Sequence, residues 1–179
     1  MTHQAQNAFL KLLEEPNSGI HFILVSDSTS KLLPTITSRV QNIPIKQIND
    51  SQSIELLNLL GEKNEKKRSQ MLFIANGLPA ELTRLSSDGE YFEKRVNMIR
   101  DARELLRGDL YSKLLLIQLY KDDRQSVLLL LNDSVNILQK SFVENPKNET
   151  IKHIDSLLMA YQRIEANGNI RLCLTQMVI

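Results

Sequence analysis

Arg39 is the residue whose type and position in this 179-residue chain best suit it to bind an anion. It follows Ser38, between a turn that contains Pro34 and a predicted short strand over 41–45. This position would hold the guanidinium at the end of a sheet, where its planar, permanently charged fork can bind a phosphate or carboxylate of another molecule. An ordinary surface arginine fits the same position, so that alternative stays open on these residues alone.

The residue types that usually carry catalysis or bind metals are scattered. His3, His21 and His153 lie in separate segments and form neither an H-x-x-x-H nor an H-E-x-x-H pattern, which argues against zinc. Cys173 lies in an apolar helical stripe and is predicted to be a buried small hydrophobe instead of a nucleophile. The Glu14-Glu15 pair could hold a cation or act as acid and base, but a solvated helix end is the simpler interpretation. We expect no metal site in this chain.

A charged segment at a predicted helix junction could contact DNA. Its cationic side chains are Lys63, Lys66, Lys67 and Arg68. Such side chains neutralise phosphates and release counterions. The chain as a whole has 22 Lys+Arg against 21 Asp+Glu, a formal net charge of +1, whereas domains that coat nucleic acid usually have a clear basic excess. A solvated loop and helix face is therefore the alternative interpretation of this segment.

Composition excludes several classes of protein. A single cysteine rules out a disulfide scaffold and fits a reducing compartment. Only six glycines are present, and no phosphate-cradling G-x-x-x-x-G-K-[ST] or G-x-G-x-x-G motif occurs, so unaided nucleotide hydrolysis is not expected. The N-terminal residues do not have the pattern of a secretory signal, and the longest apolar runs are far short of the ~20 residues that cross a bilayer. We expect a soluble, cytoplasmic chain without membrane contact.

The first 45 residues predict one helix and two strands. The helix runs over His3–Glu14, begins after Thr2 as N-cap and stops before Pro16. Its apolar stripe comprises Ala8, Phe9, Leu12 and Leu13. The β-branched, apolar run over 20–25 and the shorter one over 41–45 favour strands. Two short strands cannot close a sheet, so we expect the end of an α/β domain whose earlier strands lie outside this chain.

From Asp50 onward the pattern predicts only helices. Asp50 itself is the predicted N-cap of the first, which ends at Leu60. Three short helices are expected over 50–60, over 65–75 and from Pro79. Longer ones are expected over 91–107, 110–120, 124–142, 149–166 and 170–179, as in an antiparallel bundle with short loops. The predicted fold class is mainly α, with a remnant of an α/β core over 1–45, a small helical domain over 46–88 and a helical bundle over 89–179.

Three sequence blocks, in this order, resemble the clamp-loader AAA+ family, which in bacteria comprises the gamma/tau and delta-prime subunits of DNA polymerase III. They are T-H-Q-A-Q-N-A-F-L-K-L-L-E-E-P over 2–16, H-F-I-L-V-S over 21–26 and L-L-P-T-I-T-S-R-V over 32–40. E-A-N-G-N-I-R-L over 165–172 resembles the end of the bacterial collar domain. The resemblance implies an AAA+ core remnant, a helical lid and an oligomerising collar for the three predicted parts.

The same resemblance implies a role for Arg39. Ser38-Arg39-Val40 matches the family's S-R-C motif, apart from valine in the third position. The motif's arginine reaches across a subunit interface to a neighbour's ATP as an arginine finger, with Ser38 as its motif neighbour. Ser26 falls near the family's sensor position. The resemblance implies that the Walker A and Walker B motifs lie outside this chain. No cofactor is therefore expected within it, and ATP and magnesium are expected only at neighbouring subunits.

The lid turn distinguishes between subunits of this family. ATP-hydrolysing members usually have an arginine there to contact their own nucleotide, whereas this chain has proline in the sequence N-G-L-P over 76–79. Arg84 lies too far along to substitute well. The resemblance is therefore delta-prime-like, with gamma/tau as the alternative.

The resemblance further implies partners. Residues 89–179 would bind other clamp-loader subunits, gamma/tau and delta, and the assembly would act on the sliding clamp and primer-template DNA. Two alternatives remain: a helical adaptor that binds a protein through its Leu-rich bundle, without a role in replication, and a weak DNA-binding module that uses the charged segment.

Overall fold

The computed structural model describes residues 2–15, 19–26 and 28–178, apart from the side chain of His3. The predicted helix stop at Pro16 and the predicted helix end at Ile179 lie outside the described residues. The chain divides into two compact units, one up to Lys46 and one from Gln47 onward. The separation of a lid over 46–88 from a collar over 89–179 stays a prediction.

The first unit is built on helix α1 (His3–Glu14), followed by a short 3-10 helix (Thr29–Lys31) and α2 (Pro34–Thr37). The predicted start of α1 is confirmed, since the Thr2 hydroxyl accepts a hydrogen bond of 3.2 Å from the amide of Ala5. Pro34 is the first residue of α2. Because proline has no backbone N–H, it leaves no donor unpaired at the start of this helix.

Gln6 fixes α1 to the segment that leads into α2. Its side chain is 2% exposed; Nε2 donates to the carbonyl of Lys31 at 3.1 Å, and Oε1 accepts from the amide of Leu33 at 2.8 Å. The predicted apolar stripe of α1 is correct only in part. Phe9 and Leu13 are half-buried, whereas Leu12 is 51% exposed and the polar Gln6 is buried.

The two predicted strands are absent from the described residues, so this prediction is wrong for the structure. Residues 20–26 and 41–47 have no regular secondary structure. A β-branched, apolar run suits a strand, but a strand exists only when a neighbouring segment pairs with its backbone. The described residues of this unit do not supply that pairing, and Val25 and Ile45 are 92% and 94% exposed.

The second unit contains eight helices within the described part of the chain, and their bounds agree closely with the predicted ones. They are α3 (Asp50–Leu59), α4 (Glu65–Ala75), α5 (Pro79–Ser87), α6 (Gly89–Arg107), α7 (Leu110–Tyr120), α8 (Arg124–Glu144), α9 (Asn148–Glu165) and α10 (Ile170–Val178). The predicted N-cap of α3 is corrected from Asp50 to Asn49. Asn49 Oδ1 accepts from the amide of Gln52 at 2.9 Å, and Gln52 Oε1 accepts from the amide of Asn49 at 3.0 Å, a reciprocal capping box.

Two apolar clusters form the core of this unit. The first joins α3, α4, α5 and the start of α6 around Leu57, Met71, Leu82 and Leu85, each 0% exposed. The second joins the end of α6 to α7–α10 around Val127, Leu131 and Ile164. Helix α6 contributes to both, and it packs on α5, α7 and α8.

A buried ionic network is centred on Arg95 of α6. Arg95, 3% exposed, makes a two-pronged contact with Asp133 of α8, at 2.7 Å from Nη1 and 3.1 Å from Nη2. Its Nε donates to Glu81 of α5 at 3.1 Å, and Glu81 also accepts from the hydroxyl of Tyr91 at 2.9 Å. This network joins α5, α6 and α8.

Over the described part of the chain, every helix is too short or too polar to cross a lipid bilayer.

Candidate functional site

Arg39 is the second residue after α2, and contacts with two elements hold its side chain. Nη1 donates to the carbonyl of Thr35 at 3.0 Å and contacts the hydroxyl of Ser38 at 3.4 Å. Nη2 forms an ion pair of 2.7 Å with Glu14 Oε1, at the last residue of α1. The side chain is 38% exposed, so the guanidinium is oriented by the protein and still accessible from solvent.

Sequence reasoning missed the partnership of Glu14 with Arg39. It treated Glu14 only as half of an acidic pair, suited to a cation or to acid–base work. The two residues are 25 positions apart, and neither the spacing nor the local pattern of α1 indicates that they meet. Folding of α1 against α2, through Gln6, brings them together.

Ser26, the sensor-like candidate, is engaged within its own turn. Its hydroxyl donates to the carbonyl of Ser28 at 2.8 Å. Ser26 also lines a cavity of about 410 Å³, together with Phe9, Lys31 and Ile36. The hydrogen bonds of Ser26 to described residues do not include Arg39, so the structure brings Ser38 and Arg39 together but not Ser26.

The charged segment runs from the loop before α4 into the first turn of this helix, and two of its four cations take part in packing. Lys67 pairs with Glu62 at 3.1 Å and lies 5.1 Å above the ring of Phe92, while Arg68 donates to the Glu62 carbonyl at 2.7 Å. The amide of Asn64 and the ammonium of Lys67 hold the pKa of Glu62 below its usual value. Lys63 and Lys66 are exposed. A DNA contact through this segment stays a prediction, with Lys63 and Lys66 as its accessible part.

The remaining candidate residues are two histidines and the cysteine. His21 and His153 are exposed, and Cys173 is 7% exposed, which confirms the prediction of a buried cysteine. The described residues contain no cluster of three or more His, Cys, Asp or Glu side chains placed to hold a metal ion.

The turn between α4 and α5 is shaped by its backbone. Asn76 and Gly77 both have positive φ, 45° and 80°, and the Ile48 amide donates to the Gly77 carbonyl at 2.9 Å. Arg84, which follows on α5, stacks its guanidinium 3.8 Å from the ring centre of Tyr91. Arg84 is therefore engaged in packing α5 against α6.

Helix α7 presents apolar side chains to solvent, next to α10. Leu110, Tyr111, Leu115 and Leu119 of α7 are 53%, 71%, 53% and 72% exposed, and Leu172 of α10 is 59% exposed. A groove between the two helices is lined by three apolar and four polar residues: Leu114, Ile117, Leu172, Gln118, Asn169, Arg171 and Thr175. We call these exposed residues and the groove the α7–α10 surface. Because α7 is apolar on all sides, periodicity alone could not identify which side faces outward.

Known proteins resemble the chain in sequence. A family described as DNA polymerase III, delta subunit, matches residues 1–49. DNA polymerase III subunit delta' of Bacillus subtilis (strain 168) is 32% identical over 100 residues, 56% of this chain and 30% of the relative. The same subunit of Pseudomonas aeruginosa is 32% identical over 108 residues, 60% of this chain and 33% of the relative. That of Haemophilus influenzae is 32% identical over 100 residues, 56% of this chain and 30% of the relative.

The chain thus spans about a third of the length of the curated relatives it matches. No solved structure gives a significant match. These relatives confirm the predicted resemblance to delta-prime-like clamp-loader subunits, and the described residues confirm a mainly α fold.

Proposed function

We propose that this delta-prime-like chain works in DNA replication as part of a clamp-loader subunit of DNA polymerase III. It assembles with gamma/tau and delta subunits through its helical bundle, and Arg39 reaches the ATP of a neighbouring subunit. The assembly then places the sliding clamp on primer-template DNA. The observation that carries the proposal is the similarity to delta-prime subunits, to which the exposed α7–α10 surface and the oriented Arg39 add support.

The α7–α10 surface suits subunit assembly. Tyr111, Leu115 and Leu119 are spaced by four residues, so they share one side of α7, and each is more than half exposed. An exposed apolar patch of this kind typically marks a protein–protein contact. Fully burying one such side chain contributes about 1.5–3 kcal/mol, so several together supply a large part of an association energy. The same surface would also serve a helical adaptor, which is why the choice of partner in the experiment matters.

A charge on this surface tests the assembly proposal. We expect Leu119→Glu to prevent co-purification with gamma/tau and delta subunits, because it places a carboxylate in an apolar contact. Val143→Glu is the matched control, since Val143 is 82% exposed on α8 and is not part of this surface. Both variants should keep the helical circular dichroism of the parent. Assembly of Leu119→Glu as strong as that of the control would refute the α7–α10 surface as the contact, and binding only of non-replication proteins would favour the adaptor.

Two contacts of Arg39 support its proposed action on a phosphate of another subunit. The Thr35 carbonyl and the Ser38 hydroxyl orient Nη1, so binding an anion requires little further ordering of the side chain. Arginine fingers in other nucleotide-hydrolysing systems accelerate phosphoryl transfer by about 10³–10⁵.

Substitution of Arg39 in the assembled clamp loader tests this role. We expect Arg39→Ala to leave assembly unchanged and to slow single-turnover ATP hydrolysis at the neighbouring site by about 10³ or more. Arg39→Lys should restore only part of the rate, because an ammonium lacks the planar fork. An unchanged hydrolysis rate in Arg39→Ala would show that Arg39 is an ordinary surface residue.

A further inference from the structure

Arg39 already has a negatively charged partner within its own chain. Glu14 Oε1 lies 2.7 Å from Nη2, while the two acceptors of Nη1, the Thr35 carbonyl and the Ser38 hydroxyl, are neutral. Glu14 is therefore the partner that offsets the positive charge of Arg39 among its described contacts.

This contact opposes the binding of an anion. A guanidinium stabilises a phosphate through its positive charge, and a carboxylate at 2.7 Å cancels much of that charge at the same place. Glu14 also competes for an N–H donor. The neutral acceptors also occupy N–H donors, but they leave the positive charge of the guanidinium uncompensated.

The contact is also weak enough to be exchanged. The side chains of Arg39 and Glu14 are 38% and 50% exposed, and solvent and salt screen an ion pair of this kind. The phosphates of ATP carry more negative charge than one carboxylate, so they can replace Glu14 on the guanidinium when they come within reach.

We propose that Glu14 is a positioning residue that holds Arg39 in a resting ion pair and releases it when a neighbour's ATP phosphates replace the carboxylate. This inference rests on the proposed function of Arg39. The end of α1 then has a regulatory role, because Glu14 restrains the guanidinium until the neighbouring site is occupied.

The test is Glu14→Gln in the assembled clamp loader, measured as single-turnover ATP hydrolysis at ATP concentrations that only partly occupy the neighbouring site. Glutamine keeps the shape and the acceptor oxygen but removes the charge. We expect the rate to rise about two- to fivefold, as the loss of one exposed ion pair allows. The increase should shrink toward one as salt is added. Assembly and thermal unfolding should stay as in the parent.

Glu15→Gln is the matched control, because Glu15 is the adjacent exposed carboxylate and forms no ion pair with the described residues. We expect it to leave the rate unchanged. The double variant Glu14→Gln/Arg39→Ala should be as slow as Arg39→Ala alone, since Glu14 acts only through Arg39.

The outcomes separate the two proposals. If Arg39→Ala hydrolyses ATP at the parent rate, the proposed function of Arg39 fails, whatever Glu14 does. If Arg39→Ala is slow, the arginine finger stands. The resting ion pair is then refuted by any of three results for Glu14→Gln: a hydrolysis rate equal to that of Glu15→Gln, a rate below that of the parent, or an increase that salt does not change.

Discussion

Removal of Arg95 should destabilise the second unit more than any exposed substitution. Its guanidinium and the Asp133 carboxylate are 3% and 2% exposed and bind each other through two contacts of 2.7 and 3.1 Å. Arg95→Met fills the same space without charge and leaves Asp133 buried without its counterion. Breaking a buried pair in this way costs about 3–5 kcal/mol. Since a domain is typically stable by about 5–15 kcal/mol, much of the total would be lost.

The double variant Arg95→Met/Asp133→Leu separates the lost charge pairing from lost packing. It removes both buried charges, and replacing a buried pair by apolar side chains is often neutral or stabilising, by about 1–4 kcal/mol. Glu81 keeps its contact with the Tyr91 hydroxyl and is partly exposed, so it tolerates the loss of Arg95. Urea unfolding followed by circular dichroism should therefore give the single variant a much lower free energy of unfolding than the double variant.

The loss of stability caused by Arg95→Met should also depend on pH. Burial raises the pKa of Asp133 above its ordinary value, and Arg95 opposes this shift in the parent. Without Arg95 the folded-state pKa rises further above the unfolded value of about 3.9. A raised acid pKa favours the protonated form in the fold, so the variant regains stability as pH falls from 7 through that raised pKa. A deficit below about 1 kcal/mol, or one that stays constant between pH 7 and pH 5, would refute this account of the network.

Two further substitutions test the local anchors. Gln6→Ala removes the side-chain hydrogen bonds to the Lys31 carbonyl and the Leu33 amide, at a cost of about 1–3 kcal/mol. Exchange of the Leu33 amide should therefore accelerate by about fivefold or more, unlike in the control Gln4→Ala at an exposed position of α1. Gly77→Ala puts a Cβ at positive φ and 2.7 Å from the Ile48 carbonyl oxygen; we expect about 1–3 kcal/mol of destabilisation in urea unfolding, and none for Gly89→Ala, which has open space around it. A Gly77→Ala protein as stable as Gly89→Ala, or unchanged Leu33 exchange in Gln6→Ala, would contradict these roles.

The helices of the second unit could be predicted because their signals are local. The stop at Asn76-Gly77, the proline at the start of α5 and the apolar spacing of α6 act within a few residues of the helices they define. The resemblance that singled out Arg39 is also readable along the chain, because its motif is contiguous.

The contacts that decide what these residues can do are not local, and the sequence could not indicate them. The strands predicted over 20–25 and 41–45 require pairing partners, which composition does not reveal. Arg95 and Asp133 are 38 positions apart, and Glu14 and Arg39 are 25 apart, so helical spacing relates neither pair. Only the packing of α6 on α8 buries the first pair, and only the docking of α1 on α2 through Gln6 places a carboxylate against the guanidinium of Arg39.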